Sequence, residues 1–229
     1  MENERNVRKF PLRWRKGDQL PEGAVLMRPE QVFEIHKNRL WNWKPWYEAW
    51  PFNIGHILLG TSSGFTGIFT VMRFRSALNL GNLAFPSTML IGAVLPSVLA
   101  SVMFRMLVSE RILTSHFSTS LQAETMAGVT QCVLGAVYPF ILAPLVCTAQ
   151  AQNCKTFAVP TWQEKKAFVD IMKKTLPFKR IAVPILGFHF SLGMFIAQQQ
   201  WSFFEHKLTS LEANKAHSGY NTSEDLTFR

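Results

Sequence analysis

Charge is missing from this sequence over long stretches. The windows 51–72, 85–107, 125–154 and 181–204 hold 99 of the 229 residues, yet Arg105 is their only charged side chain. At the chain-wide frequency of 39 charged residues in 229, they should hold about 17. A water-soluble helix alternates buried and wetted positions and shows a charge every turn or two. Four such stretches therefore exclude ordinary soluble and disordered classes and point to lipid. Cysteine is also scarce. Cys132, Cys147 and Cys154 form no CxxC, pair with no histidine at ligand spacing and are odd in number, so they read as free thiols rather than a zinc site or a disulfide framework. Asp and Glu are absent from the four windows, which removes the usual carriers of a proton or ion path. No P-loop, dinucleotide fingerprint, Ser/His/Asp set or paired-carboxylate arrangement is present, so the sequence nominates no catalytic, cofactor-binding or metal-binding residue. The net charge of +9 comes with no RNA-binding motif, and nucleic acid is not an expected partner.

What is present is length and apolarity. About 20 residues at ~1.5 Å rise cross a ~30 Å hydrocarbon layer as a helix. The expected fold is therefore an all-α integral membrane protein. Its four transmembrane helices, about 52–72, 85–107, 126–147 and 181–201, should pack in a compact bundle in contact with membrane lipid. Residues 1–50 form a basic, Trp-rich N-terminal segment, 51–208 the transmembrane domain and 209–229 a polar flexible tail.

Helices in lipid gain little from burying apolar surface against one another, so close approach through small residues supplies much of their cohesion. The first span carries a GxxxG pair, Gly60 and Gly64, with Gly67 one turn on; the second carries Ala93, Ser97 and Ser101 at four-residue intervals. Gly135 in the third span and Gly187 and Gly193 in the fourth extend the device to every helix. These nine residues are the expected helix-packing positions. Pro96, Pro139, Pro144 and Pro184 lie inside spans, where each removes a backbone donor and should bend its helix. His56 and His189 are the imidazoles within the spans; such a residue is expected to hydrogen-bond a neighbouring backbone group.

Between the third and fourth spans, Thr161 and Glu164 have the spacing of a capping box. From there Phe168, Ile171, Met172 and Leu176 recur at three and four, while Lys166, Lys173 and Lys174 fall off that stripe. This pattern predicts an interfacial amphipathic helix, lying on an anionic membrane surface or docked on a partner. Ahead of the first span come Trp41, Trp43, Trp46 and Trp50. Indole rings favour the headgroup layer, and these four are the expected interface anchors.

Two segments carry a resemblance. The run from Leu59 to Phe69, Leu-Gly-Thr-Ser-Ser-Gly-Phe-Thr-Gly-Ile-Phe, followed by Phe74-Arg75, resembles the first-span motif of the transmembrane protein 126 family. Gly135-Ala-Val-Tyr-Pro-Phe-Ile-Leu-Ala143 resembles its third-span motif, and Pro160, Leu176-Pro177 and Pro184 follow in the family's order. One departure is that the family often has paired arginines after the first span, whereas here Arg73 and Arg75 flank Phe74. The resemblance implies a multi-pass protein of the mitochondrial inner membrane. It would be a non-enzymatic factor, without cofactor, that assembles respiratory complex I by holding membrane-arm subunits with other assembly factors. The alternatives are a small inner-membrane transporter or channel lined by the proline-bent helices, and a component of an inner-membrane protein translocase.

Overall fold

The computed structural model describes residues 28–157, 170, 173–176 and 178–209. Among them every regular element is helical. Helix α1 spans Pro29–Trp41 and is followed by a short helical passage, Trp46–Ala49 and Trp50–Asn53. Four long helices then follow, α2 Gly55–Ala77, α3 Phe85–Leu113, α4 Ser120–Asn153 and α5 Arg180–Leu208, each long and apolar enough to cross a membrane. They exceed the apolar windows because helix formation does not stop where hydrophobicity does. The 34 residues of α4 reach about 50 Å, so both ends project past a ~30 Å hydrocarbon layer. Less than half of each span's apolar window is buried inside the bundle, and the remainder faces outward, where only lipid or another apolar chain could cover it.

Local chemistry fixes the helix ends. α1 opens with Pro29 in its first turn and with the Gln31 side chain accepting from Arg28 N at 3.1 Å. At the start of α4, Thr119 Oγ1 accepts from Gln122 N, and Gln122 Oε1 in turn accepts from Ser118 N at 3.1 Å. α2, α3 and α4 all stop in the same way, with a left-handed residue just past the last turn: Asn79, Ser115 and Lys155. The next residue's N–H returns to a carbonyl five positions back, as in Leu80 N to Arg75 O and His116 N to Arg111 O, which satisfies carbonyls the helix would leave bare.

The prolines act on turns rather than as simple kinks. Five-residue π-helical turns occupy Leu90–Val94, Val133–Val137 and Phe178–Ala182, and each ends two residues before a proline: Pro96, Pro139 and Pro184. A proline ring collides with the carbonyl four residues earlier, and widening the preceding turn moves that carbonyl aside. Pro144, inside α4, has no such turn before it.

Neighbouring spans run antiparallel, so α2 and α4 run in the same direction. Bulky apolar cores lie toward the two ends of the bundle. Phe52, Phe104, Ile112, Ile196 and Phe203 pack where α3 and α5 finish, and Val71, Phe74, Leu78 and Leu80 pack where α2 finishes. Between them the contacts are made by small and polar residues.

Candidate functional site

The α2/α3 seam pairs the two sequence stripes directly. A Cβ on Gly60 would stand 2.7 Å from Ser97 O and collide with Ser101 Oγ; one on Gly67 would stand 2.7 Å from Ala93 Cα. At Gly64 the nearest atom is Ser97 Cβ at 3.3 Å, so this middle position is looser. Ala93, Ser97 and Ser101 thus all face the glycine edge of α2. Across α4/α5, a Cβ on Gly193 would stand 2.6 Å from Ala127 O, and one on Gly135 would stand 2.8 Å from Gln131 Nε2 and press on His189.

Gly187 does not belong to the seam. It is exposed, and an added Cβ would meet nothing within 4 Å. The buried face of α5 is set by His189, Gly193, Ala197 and Gln200, and a residue two places before His189 points the other way.

At the centre of the bundle His189, Gln131 and Thr66 join three helices. Gln131 Nε2 donates to Leu59 O at 2.9 Å, which identifies it as the amine end of the amide, and it reaches His189 Nδ1 at 3.1 Å. Nδ1 is therefore the acceptor and Nε2 carries the proton. Nε2 donates to Thr66 Oγ1 at 2.8 Å, and Thr66 gives its own hydrogen to Ser62 O at 3.2 Å. His189 is thus bonded to side chains of α2 and α4, not to a backbone group, because Gly135 leaves no Cβ to keep the imidazole away from Gln131. A second amide repeats the theme: Gln200 Nε2 donates to Pro51 O at 2.8 Å, and Ser109 Oγ lies 3.0 Å from it. Sequence reasoning missed Gln131 and Gln200. The signal was available, since an amide inside a charge-free window has to find partners within the protein.

Arg75 was likewise missed as a structural residue. It is buried at the end of α2, donates to Thr88 Oγ1 at 2.6 Å and to Leu83 O at 3.0 Å, and also bonds Gly81 O; its guanidinium lies 5.0 Å from the Phe85 ring. It ties down the turn into α3, whose residues Asn79, Gly81 and Ala84 are all left-handed.

The four tryptophans divide. Trp41 is 86% exposed and Trp46 63%, as headgroup anchors require. Trp43 and Trp50 pack inward instead, Trp43 edge-on to Phe203 at 5.0 Å. Glu48 strengthens this junction by pairing with Lys207 at 3.2 Å, and the hydrogen bond from Lys207 holds its carboxyl below the usual range. His36 of α1 sits edge-on to Phe204, and its pKa is pushed down to about 4 by burial first and by nearby Arg39 second. Residues 36–50 therefore clamp the end of α5.

Lys166, Phe168, Ile171 and Met172 of the expected surface helix lie outside the described residues. Lys173 and Lys174 are helical and exposed. All three cysteines are free, and the described residues contain no cluster of three metal-ligating side chains.

Four membrane-length helices, self-packed through small residues and cross-tied by buried amides, define a multi-pass helical membrane protein. The model of the transmembrane protein 126 family matches residues 30–214, and the chain belongs to that family. It is 25% identical over 188 residues to Transmembrane protein 126 of Drosophila melanogaster, covering 81% of this chain and 84% of the relative. No solved structure matches it.

Proposed function

We propose that the protein is a non-enzymatic assembly factor for respiratory complex I in the mitochondrial inner membrane, where it holds membrane-arm intermediates together with other assembly factors. Family membership across residues 30–214 is the observation that carries this reading. The geometry suits it. A holdase in lipid needs a rigid bundle and outward apolar faces, and α2 alone turns Ile57, Phe65, Ile68, Phe69 and Met72 away from its own core. Both nitrogens of His189 are engaged in cross-ties to Thr66 and Gln131, which favours a scaffold over a conducting path.

The test is affinity purification of the tagged full-length protein from mild-detergent extracts of mitochondria, with depletion followed on native gels. Co-purification of complex I membrane-arm subunits and assembly factors, and accumulation of membrane-arm subassemblies on depletion, are expected. Normal complex I maturation in depleted cells refutes the proposal, and recovery of translocase subunits instead reassigns the protein.

A further inference from the structure

The one π-helical turn within α3 that no proline follows is Arg105–Ser109, and it changes which side chains share a face. In a regular α-helix residues five apart point about 140° away from each other. Here the N–H of Glu110 bonds the carbonyl of Arg105, so the wider turn stacks Glu110 over Arg105 on one side. Both line a cavity of about 440 Å³ between α1, the start of α2 and the end of α3. That volume lies within the ~300–1,000 Å³ typical of small-ligand sites. Neither side chain has an ion-pair partner among the described residues, although they carry opposite charges and face the same space.

The cavity sits at headgroup level. Arg105, the one charged residue of the apolar window 85–107, lies two residues from its end, and the strongly exposed Trp41 forms part of the wall. Phe33, Phe52 and Leu113 supply an apolar floor, and Lys37 stands at the opening, paired with Glu34 at 3.1 Å. A guanidinium binds a phosphate through paired N–H donors, and a carboxylate accepts hydrogen bonds from a primary ammonium. Separated opposite charges over an apolar floor complement a ligand with the same separation and an apolar tail.

We propose that this cavity is a phospholipid site selective for a zwitterionic ethanolamine headgroup, with the phosphate on Arg105 and the ammonium on Glu110. The site stands independently of the assembly role. The experiment reconstitutes the full-length protein in phosphatidylcholine bilayers carrying equal minor fractions of phosphatidylethanolamine and phosphatidylglycerol. The protein is then released into mild detergent, and retained lipids are counted by native mass spectrometry. Wild type should retain phosphatidylethanolamine over both competitors. Glu110→Gln should erase the preference for ethanolamine over choline by about tenfold, equivalent to about 1.4 kcal/mol, while retaining phospholipid. Arg105→Gln should lose retention of all three lipids, and Arg105→Lys should keep part of it. Both sites are on the cavity wall rather than in the core; if Arg105→Gln nevertheless fails to fold, the ethanolamine-to-choline ratio in Glu110→Gln decides alone. Retention of phosphatidylglycerol over phosphatidylethanolamine, an unchanged ratio in Glu110→Gln, or no retained phospholipid in wild type overturns the proposal.

Discussion

Adding one methyl group at successive positions of the α2/α3 seam tests whether backbone proximity holds the bundle together. A Cβ at Gly60 or Gly67 would meet Ser97 O or Ala93 Cα at 2.7 Å, against an ordinary contact limit near 3.4 Å. At Gly60 the helices must part by about 0.7 Å once Ser101 Oγ swings aside, and at Gly67, where the Gly92 carbonyl oxygen lies closer still, by about 1 Å. A gap of that size forfeits a quarter to a half of each neighbouring atom pair's ~0.1–0.2 kcal/mol, or about 1 kcal/mol over the 10–20 pairs along a seam. Residual strain raises the total to about 1–3 kcal/mol for Gly60→Ala and Gly67→Ala. Gly64→Ala, with 3.3 Å available to Ser97 Cβ, should cost less than about 0.5 kcal/mol, and Gly187→Ala should be neutral or gain ~0.5 kcal/mol of helix propensity. The assay is equilibrium unfolding of the purified protein from mild-detergent micelles by titration with a denaturing detergent, followed by circular dichroism. If Gly64→Ala is as destabilising as Gly60→Ala, or if all four variants behave alike, close approach is not what sets the stability of this seam.

Four further outcomes are expected from the same measurement or close relatives of it. His189→Ala should destabilise by about 2–3 kcal/mol, because it strips partners from Gln131 and Thr66 inside the bundle; an unaffected unfolding curve would show that the hub contributes nothing. Arg75→Lys should cost about 1–3 kcal/mol, since one ammonium cannot reproduce a fork that reaches Thr88, Gly81 and Leu83 together, and wild-type resistance of the 78–84 turn to proteolysis would contradict this. Ser115→Gly should stabilise by about 0.5–1 kcal/mol by relieving a left-handed serine at the end of α3, read as a higher midpoint. His36 is neutral in the fold with a pKa near 4 against an ordinary 6.5, so the unfolded chain binds more protons between those values. Docking of α1 should therefore weaken as pH falls from 6.5 toward 4, seen as faster proteolysis after α1, and His36→Phe should flatten that dependence.

The sequence announced the features that depend on composition and spacing and concealed those that depend on backbone conformation. Gly60, Gly67, Ala93, Ser97 and Ser101 were legible because small residues at four-residue spacing make a flat edge wherever the helix is placed. Gly187 misled for the same reason: spacing shows that a flat edge exists but not which neighbour it meets, and on α5 the direction was decided by His189 and Gln200 seeking partners. Helix ends were hidden because Asn79, Ser115 and Lys155 occupy positions where glycine is the usual marker. Trp43 and Trp50 look like Trp41 and Trp46 as letters, and only the arrival of Phe203 from the far end of the chain separates packed rings from exposed ones.

The π-helical turns set the deepest limit on legibility. Of the five among the described residues, three can be recovered in retrospect, since Pro96, Pro139 and Pro184 each demand room for a carbonyl. The turns at Arg105–Ser109 and Phe204–Thr209 have no such cause in the sequence, and read with α-helical periodicity Arg105 and Glu110 fall on different faces with nothing to connect them. One additional residue in one turn converts an isolated arginine and an unrelated glutamate into two poles of a single cavity. Widening a turn gives up regular hydrogen-bond geometry, and single wide turns of this kind are frequent at functional sites. Deleting Met106 should convert the wide turn into a regular one in which Glu110 follows Arg105 by four residues and stays on the same face, so the deletion variant should keep the lipid preference of wild type. Loss of that preference in a folded deletion variant would show that sharing a face is not enough to make the pair a headgroup site.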